Sequence, residues 1–195
     1  MNPHALGFWS VALRAMIVHT VTYTGIGMIA FSLFRYGHAI REDPVRQASM
    51  RPTDHPLVMA GPLFQPLRGA LFGMAFYLLR DVIFAPGGWW ALWLTLVIVG
   101  VLSTFAPAAS SIEGLIYLKP SPTGFLWGGL LEILTQSLLL AVVTYLWVRH
   151  PAAWASWLLG TLFVLALLMP ALGLATRASR SRPGPGPDGD PGDAT

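Results

Sequence analysis

The sequence predicts an all-α integral membrane protein, a bundle of about five transmembrane helices with its N-terminus outside the cytoplasm and its C-terminus inside. Three observations carry that expectation. Of the 195 residues, 54% are hydrophobic and 11% charged, where a soluble domain has about 45–50% apolar and about 25% charged residues. The mean hydropathy is +0.60, too apolar for the charged surface a water-soluble fold uses. Apolar runs approaching the roughly 20 residues needed to cross a bilayer also recur along the chain.

The first run covers 13–34. No Lys or Arg precedes it in the opening Met1-Asn2-Pro3-His4 and no small-residue cleavage site follows, so it reads as an uncleaved signal anchor. Residues 35–56 hold Arg35, Arg41, Arg46 and Arg51 with three prolines, a polar, helix-interrupted cytoplasmic loop. The second run begins near Leu57. Pro62 and Pro66 interrupt its start, so the helix is placed at 66–84 with Pro66 in its first turn. That leaves 57–65 as a candidate re-entrant or interfacial segment. A turn at Ala85-Pro86-Gly87-Gly88 leads into Trp89-Trp90, which open a helix over 89–107 like an interfacial aromatic belt. Residues 110–120 are too short and polar to cross and too apolar for a plain loop, a second candidate re-entrant segment. Helices over 125–148 and 153–175 follow, separated by His150-Pro151. The domain boundary falls at 176: residues 1–176 form the membrane domain, and 177–195 read as a disordered cytoplasmic tail, rich in Pro, Gly and Asp.

Orientation follows from the bias of Lys and Arg toward cytoplasmic loops. Arg35, Arg41, Arg46, Arg51, Lys119, Arg177, Arg180 and Arg182 fall on one side, against Arg149 with Arg14 and Arg80 near helix ends on the other. An odd number of crossings separates the termini, in agreement with that asymmetry. Lys119 is the one lysine among 12 basic residues, a usage typical of GC-rich bacterial genes. The expected location is therefore the bacterial inner membrane.

Ionisable groups inside membrane helices are costly and become functional candidates. Glu132 lies about 10 Å into the fourth helix at about 1.5 Å per residue, and Gln136 follows one turn later on the same face. His19 is the deepest ionisable group of the first helix, with Tyr23 one turn on. These four are the intramembrane polar candidates, each weighed against ordinary helix packing. Gly69 and Gly73 form a small-xxx-small pattern for close helix approach. Arg68, Glu113, Tyr117 and Lys119, all assigned to the cytoplasmic side, are candidates for a polar mouth able to contact phosphate.

Cysteine is absent, which excludes disulfides and thiolate chemistry. No phosphate-binding loop, zinc motif or serine-hydrolase elbow occurs. The basic residues are scattered, against nucleic-acid binding, and no metal or cofactor is expected. The expected partners are membrane lipids and a homo-oligomer or larger membrane complex. The leading expectation is a non-enzymatic membrane or complex-associated subunit. The alternatives are a small transporter or channel using Glu132, Gln136 and His19 as a polar path, and a membrane-embedded lipid-modifying enzyme at the cytoplasmic mouth. No catalytic residue is assigned.

Overall fold

A computed structural model describes residues 6–105, 108, 110–119 and 125–180, and every regular element among them is helical. The chain opens with α1 (Phe8–Leu33). At its end Arg35 takes a left-handed backbone, φ 48°, which turns the chain into α2 (Tyr36–Glu42) and then α3 (Pro44–Ser49). Asp43 caps α3, accepting from the Val45 amide at 3.0 Å and pairing with Arg46 at 3.0 Å. Proline in the first turn and an Asx cap are the local signals that start such a helix.

The proline-interrupted segment after it folds as α4 (Pro56–Met59), a 3-10 turn over Gly61–Phe64, and α5 (Gln65–Leu78). The expected helix over 66–84 stops at Leu79, because the Arg80 guanidinium turns back to donate to the Tyr77 carbonyl at 3.0 Å and lies 4.5 Å over the Tyr77 ring. A cation satisfying the last carbonyls is a common helix stop. One further turn, α6 (Arg80–Ile83), follows. The expected helix over 89–107 is likewise shorter, running as α7 (Trp89–Val97) into a π turn at Ile98–Leu102. There the Thr95 hydroxyl donates to the Ala91 carbonyl at 2.8 Å, a contact that bends helices. Position 107 itself lies outside the described residues.

The segment after it contains α8 (Ile112–Tyr117), whose cap Ser111 accepts from the Gly114 amide at 2.9 Å. The last two helices are α9 (Phe125–Arg149) and α10 (Ala153–Arg180). The latter runs through Arg177, past the boundary expected at 176. The tail expectation for 181–195 falls outside the described residues.

Among the described residues, three helices are long and apolar enough to cross a membrane: α1, the Gly129–Arg149 part of α9, and α10. The helix α1 is the hub, packing on α5, α9 and α10, while α7 packs on α9. Its contact with α5 rests on the two glycines. A Cβ added at Gly73 would sit 2.5 Å from the Ala12 Cα, and one at Gly69 would sit 2.7 Å from the Met16 Cα, so the backbones touch where a side chain would hold them apart. The crossing is antiparallel, as is that of α1 on α9, which sets Arg14 beside Trp147 and Gly27 beside Glu132.

One end of the bundle is solid. Val11, Ala15 and Val18 of α1 join Phe76, Ile83, Phe84, Leu92, Leu140, Ala141 and Val148 in a single buried cluster. Polar ties close its rim: Arg14 donates to the Trp147 carbonyl at 3.1 Å, Arg149 to the Phe84 carbonyl at 2.9 Å, and the Gly87 amide to the Tyr145 hydroxyl at 3.0 Å. The helix pair α5 and α7 is joined at this end through α6. Toward the other end the two are not packed together, and a gap opens between them.

Candidate functional site

That gap is a cavity of about 730 Å³. Its floor is α1 and α9, its walls are α5 on one side and α7 with its π turn on the other, and Ala108 and Ser110 border it. The apolar lining includes Leu71, Phe72, Leu96, Val101, Ile133 and Leu140. Leu71 is itself 58% exposed, so the wall it belongs to is also the outer surface of the bundle and the cavity opens sideways.

All four intramembrane candidates, His19, Tyr23, Glu132 and Gln136, line this one space. The i, i+4 spacing sets each pair on one helix face, and the antiparallel packing of α1 on α9 turns the two faces toward each other. Arg68 enters from the first turn of α5, its guanidinium 5.5 Å over the Phe72 ring. The other mouth candidates do not join it. Glu113, Tyr117 and Lys119 lie on or after α8 and outside the lining, with Tyr117 and Lys119 exposed.

His19 is buried and makes an edge-to-face contact with Phe72 at 4.9 Å and a tilted one with Tyr23 at 6.1 Å. Its Nε2 lies 3.1 Å from Gln65 Oε1, and the Gln65 amide nitrogen donates to the Gly61 carbonyl at 3.1 Å. Two residues absent from the sequence-based candidates thus matter. Gln65 positions the imidazole, and Tyr36 lines the cavity and donates its hydroxyl to Glu132. The signal for Gln65 was a buried histidine in need of a partner. For Tyr36 it was an aromatic residue just past the end of α1, where the chain must fold back. Burial first, then the hydrogen bond to Glu132, pushes the Tyr36 phenol above its ordinary value, so it serves as a neutral donor.

The arrangement offers a carboxylate, a guanidinium, an imidazole and two phenols around a space large enough for a small molecule or a lipid headgroup. Beyond His19 the polar groups give way to the solid cluster around Val11, Val18, Phe76 and Leu140. Among the described residues no three His, Asp or Glu side chains converge as metal ligands do. No protein-family model matches the chain, and no curated protein or solved structure is significantly similar to it.

Proposed function

We propose that this is a non-enzymatic, multi-pass protein of the bacterial inner membrane that binds an amphiphile in the cavity between α5 and α7. The observation that supports this reading is the shape of the cavity: blind toward the packed end, open sideways along Leu71, polar at His19, Glu132 and Arg68, and apolar on its remaining wall. A channel needs a polar way through both ends. A headgroup site with its chains still in lipid needs a side opening and one polar end.

The five-crossing reading belongs to the same proposal. α1, α5, α7, α9 and α10 run alternately between the two ends of the bundle. With the 3-10 turn and α6, the helical track around α5 extends from Gly61 to Ile83, about the length that crosses a bilayer. Placing the N-terminus outside puts the cavity in the cytoplasmic half, where Arg68 suits an anionic headgroup. Reporter fusions at the two termini test the topology, and both reporters active on the same side would refute an odd number of crossings.

The binding reading is tested by native mass spectrometry of the full chain purified in mild detergent. Wild type should retain a bound amphiphile, and Gly100→Leu should lose it. A Cβ at Gly100 meets nothing within 4 Å, so the larger side chain fills the cavity without disturbing backbone. Equal amphiphile in both proteins, or none in either, would refute the reading. A second reading, transport, draws on the Tyr36–Glu132 contact as a gate, and cation flux in liposomes that Glu132→Gln abolishes would favour it instead.

A further inference from the structure

The headgroup that fits the cavity follows from three of its polar groups. The Gly61 carbonyl can only accept, so the Gln65 amide presents its nitrogen there and its oxygen to His19. An oxygen cannot donate, so His19 Nε2 carries the ring proton and Nδ1 is a bare acceptor. That Nδ1 is buried and has no partner among the described residues, in a side chain 1% exposed. A buried acceptor left unsatisfied is destabilising, and only a donor can relieve it. Gln65, which holds the Nε2 edge, is not part of the cavity wall. With Nε2 engaged by Gln65, Nδ1 is the ring nitrogen left for a ligand of the cavity that His19 lines.

Arg68 has no hydrogen-bond or ion-pair partner among the described residues; its one contact of this kind is with the Phe72 ring. A guanidinium with free donors at a cavity wall matches a phosphate or carboxylate. Glu132 supplies the opposite charge. One of its oxygens accepts from Tyr36, and the other lies over Gly27, 3.8 Å from where a Cβ would stand, leaving that side uncrowded. Tyr23 lines the same cavity as both charges.

We propose that the cavity binds a zwitterion, its anionic phosphate or carboxylate at Arg68 and its primary ammonium shared between Glu132 and His19 Nδ1. This rests on the amphiphile reading above and deepens it. A primary ammonium has three donors, enough for Glu132, His19 and one more acceptor of the lining. A quaternary ammonium has none and leaves Nδ1 bare. An anionic headgroup without an amine satisfies Arg68 but brings a second negative charge toward Glu132.

The test titrates the full chain, delipidated in detergent, by native mass spectrometry with four probes: dioleoyl phosphatidylethanolamine, dioleoyl phosphatidylcholine, dioleoyl phosphatidylglycerol and water-soluble O-phosphoethanolamine. A hydrogen bond to a charged group contributes about 1.5–3 kcal/mol, so phosphatidylethanolamine should bind at least about tenfold more tightly than the other two lipids. Glu132→Gln, which keeps the shape and the Tyr36 contact, should erase that preference, and Arg68→Gln should weaken all three lipids. Equal affinity for the ethanolamine and choline lipids overturns the zwitterion assignment while leaving amphiphile binding in place. No binding of any lipid overturns both. O-phosphoethanolamine binding as tightly as its lipid upholds the zwitterion chemistry, assigns it to a soluble ligand and overturns the amphiphile reading.

Discussion

The two ends of this bundle use the same helices for opposite purposes. Around Gly73 the backbones of α1 and α5 touch, and the space among α1, α5, α7 and α9 is filled by Val11, Phe76, Leu92 and Val148. About two to four turns along the same helices, Gly100 meets open space, Gly27 faces only the Glu132 carboxylate, and the filler is replaced by His19, Tyr23, Glu132 and Gln136. Small residues serve contact at one end and vacancy at the other, so a glycine's meaning here depends on what stands opposite it. The closed end carries the stability that lets the open end go unfilled.

That contrast makes graded predictions. The largest effect belongs to Gly73→Leu, which forces a side chain into the Ala12 backbone. Overpacking of this kind costs about 3 kcal/mol or more, and the variant should lose its monodisperse peak in size-exclusion chromatography; a wild-type melting profile would show that the close approach is not what holds the closed end. Next is Arg46→Ala, outside the closed cluster altogether. It deprives Asp43, fully buried at the α3 cap, of its guanidinium, and should cost about 2 kcal/mol in thermal stability, seen first as proteolysis within 36–49. If the loss spread to the whole bundle instead, the α2–α3 segment would be part of the closed end's cooperative unit.

Tyr36→Phe comes third. It removes the donor to Glu132 and should lower stability by about 1 kcal/mol with the oligomeric state unchanged. Its pH dependence has a definite sign. Because the folded phenol is raised above its ordinary value, the stability it gives is fully present below the unfolded pKa of about 10 and is lost as pH rises through the folded value. The gap between wild type and variant should therefore hold constant through neutral pH and narrow in strong alkali. Gly100→Leu is the smallest, within about 0.5 kcal/mol of wild type, because it fills the open end without meeting backbone.

Much of this was legible in the sequence, at the level of single helices. Composition gave the helical class, and three of the expected spans appear as helices long and apolar enough to cross a membrane. The i, i+4 rule put His19 with Tyr23 and Glu132 with Gln136, and the small-xxx-small pattern named Gly69 and Gly73 as a packing seam. That the two polar pairs face each other was not legible, because it depends on α1 lying antiparallel on α9, a contact between segments over a hundred residues apart. Helix ends were misjudged where side chains compete for carbonyls. The Arg80 return to Tyr77 and the Thr95 contact with Ala91 end or bend helices that hydropathy alone would have prolonged. Grouping Arg68 with Glu113, Tyr117 and Lys119 followed from the side of the membrane expected for each, yet sidedness says nothing about distance within a side. Arg68 sits in the first turn of α5 and lines the cavity, whereas no residue of α8 does.

The central position of α1 also sets a timetable for biosynthesis. Its partner α5 emerges soon after it, but the Trp147 carbonyl that receives Arg14 lies 133 residues downstream. At roughly 5–20 residues per second of synthesis, α1 waits on the order of ten seconds with only its glycine seam engaged. The helices α1 and α5 must therefore hold together as a pair before the rest of the protein exists, and the close backbone approach at Gly69 and Gly73 joins the two.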